Sequence, residues 1–295
     1  MLLDSIKLKQ YYKISVRKSD IGIWIEDFEK ELKAKKLPKK VRYLFGDEWY
    51  YIEGSNIIVI PFYLHSLSFA RALKRKSCFV EGLTKETFLK LIRHEYGHYF
   101  ECLFQTRKKA LRKSLFGKNI KYPKSYLPKD NDHEFVKHLP NHYAQSHPDE
   151  DFAESFAVAL RNDNWKRKYP KSSLAYAKLN YVDGLINDNK KINKRKILIG
   201  DVCLPKQNQS LQRWMNENQK KSISPFVKQK ISQLENFVAS QDYDKQEKKR
   251  LVKALGLAIS EKKHNENSIE HFIQPAILEQ EIKKIRKKKA HYISM

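Results

Sequence analysis

The residues best suited to chemistry are two histidines and a glutamate within five consecutive positions, His94-Glu95-Tyr96-Gly97-His98. On an α-helix, His94 and His98 lie one turn apart on the same face, so both imidazoles can bind a single zinc ion. Glu95 lies beside them, where it can accept a proton from a water molecule that the metal activates. The spacing predicts a zinc-dependent hydrolase site with His94 and His98 as metal ligands and Glu95 as general base. The alternative is a surface helix with two unrelated histidines.

The residues around this motif predict the helix that the chemistry needs. Thr84 is a suitable N-cap, and Glu86 falls in the first turn, where negative charge is favoured. Apolar and aromatic side chains recur every three or four residues from Phe88 to Leu103, which predicts one face packed on the core. The histidines lie beside that face, where a cleft can form. Gly97 either lets another segment approach closely or is a tolerated glycine.

A catalytic zinc ion usually has three protein ligands, and the best candidate for the third lies in the acidic stretch 146–156. A proline near its start and phenylalanines four residues apart predict a second helix. Glu150 and Glu154 are also four apart and share a face. We expect Glu150 to be the third ligand and Glu154 to accept the free N–H of a zinc-bound histidine. His147 and Asp151 are the competing ligands.

Two segments resemble a bacterial family of zinc-binding metallopeptidases of the gluzincin type. They are residues 94–100, HEYGHYF, and residues 143–154, YAQSHPDEDFAE. Members of that family typically read H-E-x-G-H-Y-Y and then Y-A-x-x-H-P-x-E-D-x-A-E. An L-F-G segment often lies between the two, and Leu115-Phe116-Gly117 occupies that place. Residues 150–154 are also similar to the E-x-F-A-E active-site helix of anthrax lethal factor.

The resemblance implies a peptidase whose third zinc ligand is a glutamate on a second helix, which again indicates Glu150. It also implies that Tyr143 donates a hydrogen bond to the developing oxyanion, although an ordinary buried tyrosine is the alternative. By analogy, the strand near Asn56–Pro61 is expected to pair with an extended substrate. Two departures are that no cysteine-rich ribbon is present and that Asp149 replaces an expected aromatic residue. Substrate preference is therefore not carried over.

Other segments predict the elements that position these residues. Residues 21–37 predict an amphipathic helix, and residues 41–63 alternate as a small antiparallel sheet ahead of the motif helix. Residues 118–140 are rich in proline, lysine and asparagine and predict a long loop over the site. Beyond them the pattern becomes helical. We therefore expect an α+β fold, with a zincin-like catalytic domain over 1–165 and an α-helical C-terminal region over 166–295.

Composition restricts the compartment. Three scattered cysteines are too few for a disulfide framework and indicate a reducing environment. No segment reaches about 18 apolar residues, so no membrane span is expected. The first residues do not resemble a secretory signal. A cytoplasmic location is expected, with export as a bacterial effector as the alternative.

The positive charge bears on the function class. A formal net charge of +25 permits an anionic partner such as nucleic acid, but the lysines are spread along the chain, as AT-biased coding produces. We predict a peptidase that binds one zinc ion and acts on a protein or peptide substrate. The alternatives are a basic polyanion-binding protein with a structural or degenerate zinc site, and a zinc hydrolase of a non-peptide amide.

Overall fold

The chain folds into two compact units. A computed structural model describes residues 2–118, 120–123, 126, 129, 133–161, 164–189, 197, 202–221, 233–261 and 274–293. Contacts divide the chain into Met1–Gln219 and Lys220–Met295. All of the predicted site residues lie in the first unit. The predicted domain boundary between residues 165 and 166 stays a prediction.

Helices make up most of the first unit. The described α-helices between residues 2 and 221 are α1 (Leu2–Ser5), α2 (Lys9–Tyr12), α3 (Gly22–Ala34), α4 (Leu67–Arg75), α5 (Lys85–Leu103), α6 (Ala110–Phe116), α7 (Pro148–Leu160), α8 (Trp165–Lys168), α9 (Leu174–Asn187) and α10 (Leu211–Lys221). Helix α3 confirms the predicted amphipathic helix, because it buries Ile25, Phe28 and Leu32 on one side. In the described parts of the region between α6 and Leu139 there is neither helix nor strand, as expected for the loop.

A three-stranded sheet accompanies the helices and makes the fold α+β, as predicted. Its strands are β1 (Arg42–Gly46), β2 (Tyr50–Tyr51) and β3 (Ile57–Pro61), in the order β1-β3-β2. Strand β2 pairs antiparallel with β3, but β1 pairs parallel with it, so the prediction of an antiparallel sheet was wrong. The alternation of apolar residues identifies strands and their faces but does not determine the direction of pairing.

The position of β3 also corrects the expected substrate strand. Residues Ile58 and Val59 pair with β1 on one side and with β2 on the other. Their backbone hydrogen bonds are therefore used within the sheet, and an extended peptide cannot add to β3 there. The apolar run at 57–61 is buried throughout, which is the burial expected of a central strand.

Helix α5 carries the histidine motif through the middle of the core. Thr84 caps it as predicted, since its Oγ1 accepts the Thr87 N–H at 3.2 Å and the Thr87 hydroxyl reciprocates. Phe88, Ile92 and Tyr96 are fully buried, and each such side chain contributes about 1.5–3 kcal/mol to folding. This burial holds α5 against the sheet and α3, so its histidines cannot shift along the helix axis.

Gly97 allows α5 and α7 to approach closely. A Cβ at position 97 would lie 3.0 Å from the Cα of Ala153 and 3.2 Å from its carbonyl oxygen. These contacts are with backbone atoms, which cannot move aside without moving α7. Of the two interpretations of Gly97, the structure therefore favours close approach by another segment.

The described part of the second unit is helical, as expected of the C-terminal region. It consists of residues 233–239, α11 (Lys245–Glu261) and α12 (Pro275–Ile293). Its own apolar core contains Leu234, Val238, Leu251, Leu255, Leu278 and Ile282. None of the helices that the structure describes has the length and apolar character needed to cross a membrane. The three cysteines are all free.

Candidate metal centre

Helices α5 and α7 bring two histidines and a glutamate into one cluster. His94 Nε2 lies 3.0 Å from Glu150 Oε2 and 3.1 Å from His98 Nε2. The third side of this triangle, from His98 Nε2 to Glu150 Oε2, is 3.3 Å. His94 and Glu150 are buried, and His98 is half-buried. The structure thus brings together all three residues that the sequence predicted as metal ligands.

The donor set fits a zinc ion. Tetrahedral zinc with bonds of about 2.0–2.1 Å separates its ligand atoms by about 3.3 Å, close to the sides of this triangle. Burial opposes ionisation of Glu150, but hydrogen bonds with His94 and His98 hold its pKa well below the usual range. Within the described part of the chain, no lysine or arginine forms an ion pair with this carboxylate. A buried carboxylate that faces imidazole nitrogens, rather than a permanently charged lysine or arginine, suits a bound cation.

Glu154 lies behind His94, where the sequence placed it. Its Oε1 accepts the Nδ1–H of His94 at 2.8 Å, which leaves His94 Nε2 directed at the cluster. Its Oε2 accepts the backbone N–H of Leu139 at 2.8 Å. Both carboxylate oxygens are therefore held, and the orientation of the His94 ring is fixed.

Glu95 is buried beside the same cluster. Burial raises the pKa of Glu95, although the charges of His94 and His98 oppose this. A hydrogen bond from the backbone of Tyr51, in β2, reaches its carboxylate. Strand β2 therefore helps to position the predicted general base.

Tyr143 borders the site from the 3₁₀ turn Pro140–Gln145. Its ring centroid is 5.7 Å from that of His94, and the side chain is half-buried. Burial raises the pKa of Tyr143, so its hydroxyl keeps its proton at neutral pH. The hydroxyl makes no hydrogen bond to any residue that the structure describes. It is therefore available as a donor to a substrate.

The two competing ligands make other contacts. His147 caps α7, because its Nδ1 accepts the Asp149 N–H at 3.1 Å, while its Nε2–H donates to the Ile120 carbonyl at 2.8 Å. Asp151 Oδ2 forms a buried ion pair of 2.6 Å with Lys178 Nζ, from α9. Neither side chain belongs to the triangle of donors.

Sequence reasoning missed a buried ionic network next to the site. Arg112 donates to Glu101 at 2.8 Å and to Asp149 at 2.7 Å, and only 1% of its surface is exposed. Arg107 contacts the same two acids. The network joins the end of α5 and α6 to the first turn of α7. Glu101 and the two arginines are separated by turns between α5 and α6, and Asp149 lies 37 residues after Arg112, so no helical spacing could reveal the network.

Two further residues near the site were also missed. Tyr122, in the loop, donates a hydrogen bond of 2.7 Å to Glu150 Oε1. Burial raises the pKa of Glu81 to about 7, and the charges of Glu95 and Glu48 add to this. The sequence indicated Tyr122 only as an aromatic residue within a lysine- and proline-rich segment. Nothing in the sequence pattern indicated a role for Glu81.

The structure is that of an α+β protein in which two helices carry a group of residues, His94, His98 and Glu150, that could hold a metal ion. Residues 73–232 match the family described as putative zinc-binding metallo-peptidase. The match covers more than half of the 295 residues, so the protein belongs to this family. This confirms the family that the two motifs indicated, whereas the gluzincin type and the similarity to lethal factor stay predictions. No curated protein and no solved structure matches the chain.

Proposed function

We propose that the protein is a zinc-dependent peptidase that hydrolyses peptide bonds, with one zinc ion held by His94, His98 and Glu150. The observation that carries this proposal is the buried triangle of two imidazole nitrogens and one carboxylate oxygen, with sides of 3.0–3.3 Å. Membership of a family of zinc-binding peptidases supports the choice of reaction. A protein or peptide is the proposed substrate.

In this proposal, each side chain around the triangle has a separate role in hydrolysis. Bound zinc supplies a Lewis acid that polarises a carbonyl group and lowers the pKa of water toward about 7. Glu95 accepts a proton from the attacking water and later delivers it to the leaving amine. Tyr143 donates a hydrogen bond to the oxyanion that develops on the carbonyl. Glu154 holds His94 in the orientation that exposes Nε2.

Substitution of the general base tests the chemistry apart from the metal. Glu95→Gln keeps the size of the side chain but removes its basicity, so zinc content should stay at about one ion per chain. Hydrolysis of a quenched fluorescent peptide library should fall by about 10²–10⁴-fold. Glu86→Gln is the matched control, because Glu86 is exposed in the first turn of the same helix. A Glu95→Gln protein that cleaves at the wild-type rate would contradict the mechanism.

The same preparation separates the alternatives. A zinc hydrolase of a non-peptide amide would leave the peptide library intact but cleave amide substrates of other classes, again with loss in Glu95→Gln. A polyanion-binding protein would bind DNA or RNA with a strong dependence on salt and would show no proteolysis when loaded with zinc. The Glu95→Gln substitution should not alter that binding.

A further inference from the structure

The two oxygens of Glu150 have different partners. Oε2 faces His94 Nε2 at 3.0 Å and His98 Nε2 at 3.3 Å. Oε1 accepts the hydroxyl of Tyr122 at 2.7 Å. The terminal torsion of a glutamate is broad and roughly two-fold, so an unrestrained carboxylate rotates easily. A hydrogen bond to Oε1 alone restricts that rotation and keeps Oε2 directed at the histidines.

The Tyr122 ring is itself positioned by the start of α7. It stacks on the His147 ring with the centroids 3.7 Å apart and the planes at 11°. His147 is fixed at both nitrogens, by the Asp149 N–H and the Ile120 carbonyl. Although 54% of Tyr122 is exposed, its ring thus rests on the N-cap of the helix that carries Glu150. The start of α7 therefore positions both the Tyr122 ring and the Glu150 carboxylate.

A neutral donor at this position preserves the charge of Glu150. The acids on either side, Asp149 and Asp151, are paired with arginine and lysine. A tyrosine hydroxyl ordinarily has a pKa of about 10, so it is neutral and protonated near pH 7 and donates to Oε1. A tyrosine can orient the carboxylate without cancelling the negative charge that attracts a cation, which a lysine or arginine would do.

We infer that Tyr122 is a positioning residue for the metal site: its hydroxyl holds Glu150 Oε1 so that Oε2 is presented to the ion. This inference rests on the zinc site of the proposed function. It assigns the loop between the two motifs a part in metal binding that the motifs themselves do not show.

The test compares zinc affinities. Tyr122→Phe keeps the ring that stacks on His147 but removes the hydroxyl. The dissociation constant for zinc, measured by competition with a chromophoric chelator, should rise by about 10–100-fold. Tyr176→Phe is the matched control, since Tyr176 lies on α9 with its ring 5.2 Å from that of Trp165 and takes no part in the proposed site, and its zinc affinity should equal that of the wild type.

A double-mutant cycle separates orientation of Glu150 from a general effect on the fold. In a Glu150→Ala background, Tyr122→Phe should cause no further loss of zinc affinity, because the hydroxyl acts only through that carboxylate. An equal loss in both backgrounds would overturn the inference. So would wild-type affinity in Tyr122→Phe while His94→Ala loses zinc. If His94→Ala itself keeps wild-type zinc affinity, the proposed function fails as well.

Discussion

The first turn of α7 contains three consecutive buried acids that are held in two different ways. Asp149 pairs with Arg112 at 2.7 Å, and Asp151 pairs with Lys178 at 2.6 Å. Glu150, between them, contacts two imidazoles and a tyrosine hydroxyl and has no lysine or arginine partner in the part of the chain that the structure describes. All three carboxylates are about 95% buried or more.

This difference distinguishes structural charges from a binding site. A buried carboxylate is costly unless another charge compensates it. For the two aspartates, the compensating charge is part of the chain and joins α7 to α6 and to α9. For Glu150 the described residues provide two imidazoles, which can also bind a metal ion, in place of a lysine or arginine. The first turn of α7 thus contains carboxylates with two different roles, and the partner of each carboxylate determines its role.

The largest expected effect is on metal binding. Glu150→Gln keeps the shape of the side chain but removes the carboxylate charge that faces the two histidines. Zinc content after dialysis should fall from about one ion per chain to nearly none, since the site loses its only anionic ligand. Metal analysis of the purified protein measures this. Asp149→Asn is the matched comparison and should retain zinc; loss of zinc from both variants alike would remove the distinction between the two carboxylates.

The next effect is on stability. Lys178→Met leaves Asp151 buried without its partner, and Asp151 Oδ1 already lacks a hydrogen bond among the described residues. The free energy of unfolding should fall by about 3–5 kcal/mol in urea titrations with a chelator present. Lys166→Met, which removes an exposed lysine 3.9 Å from Asp183, should change it by less than about 1 kcal/mol. Equal effects of the two substitutions would show that burial does not set the strength of these pairs.

The smallest effect concerns Glu81, a carboxylate outside α7 that forms no ion pair with any residue that the structure describes. Burial raises the pKa of Glu81 from 4.5 to about 7, so the folded chain binds more protons than the unfolded chain across that range. Glu81 therefore lowers stability progressively as the pH rises through this window. Glu81→Gln should stabilise the metal-free protein by about 1–2 kcal/mol more near pH 8 than near pH 5. Urea titrations at both values measure this, and a gain that does not depend on pH would contradict it.

The sequence was sufficient where the information is local. Four-residue spacing on a helix places His94 with His98, and Glu150 with Glu154, without knowledge of any other element. The N-cap at Thr84 was also predicted from the local sequence. Helical periodicity does not say which helices meet, so the proximity of His94 and Glu150, 56 residues apart, was predicted from the need of a catalytic zinc ion for a third ligand. The resemblance to known peptidases indicated the same residue.

The features that were missed all depend on distant partners. Strands β1 and β3 would bury the same faces in a parallel or an antiparallel pair, so the pattern of apolar residues did not predict that they pair parallel. Lys178 follows Asp151 by 27 residues on a separate helix, and an isolated lysine usually indicates a solvent-exposed position. The contact of Tyr122 with Glu150 depends on the path of an irregular loop, which the sequence does not predict. In each case the deciding interaction is tertiary and leaves no period in the sequence.

The contact between Gly97 and Ala153 has a consequence for how much sequence change the site can tolerate. Gly97 lies between the two histidines, and Ala153 lies between Glu150 and Glu154, so the distance between the ligand-bearing backbones is set where the helices touch. Phe156 of α7 packs beside this contact, with its ring centroid 5.7 Å from that of Tyr96 and 4.9 Å from that of Phe100. Much of the surrounding surface can therefore diverge without moving the ligands, provided that these two positions remain small.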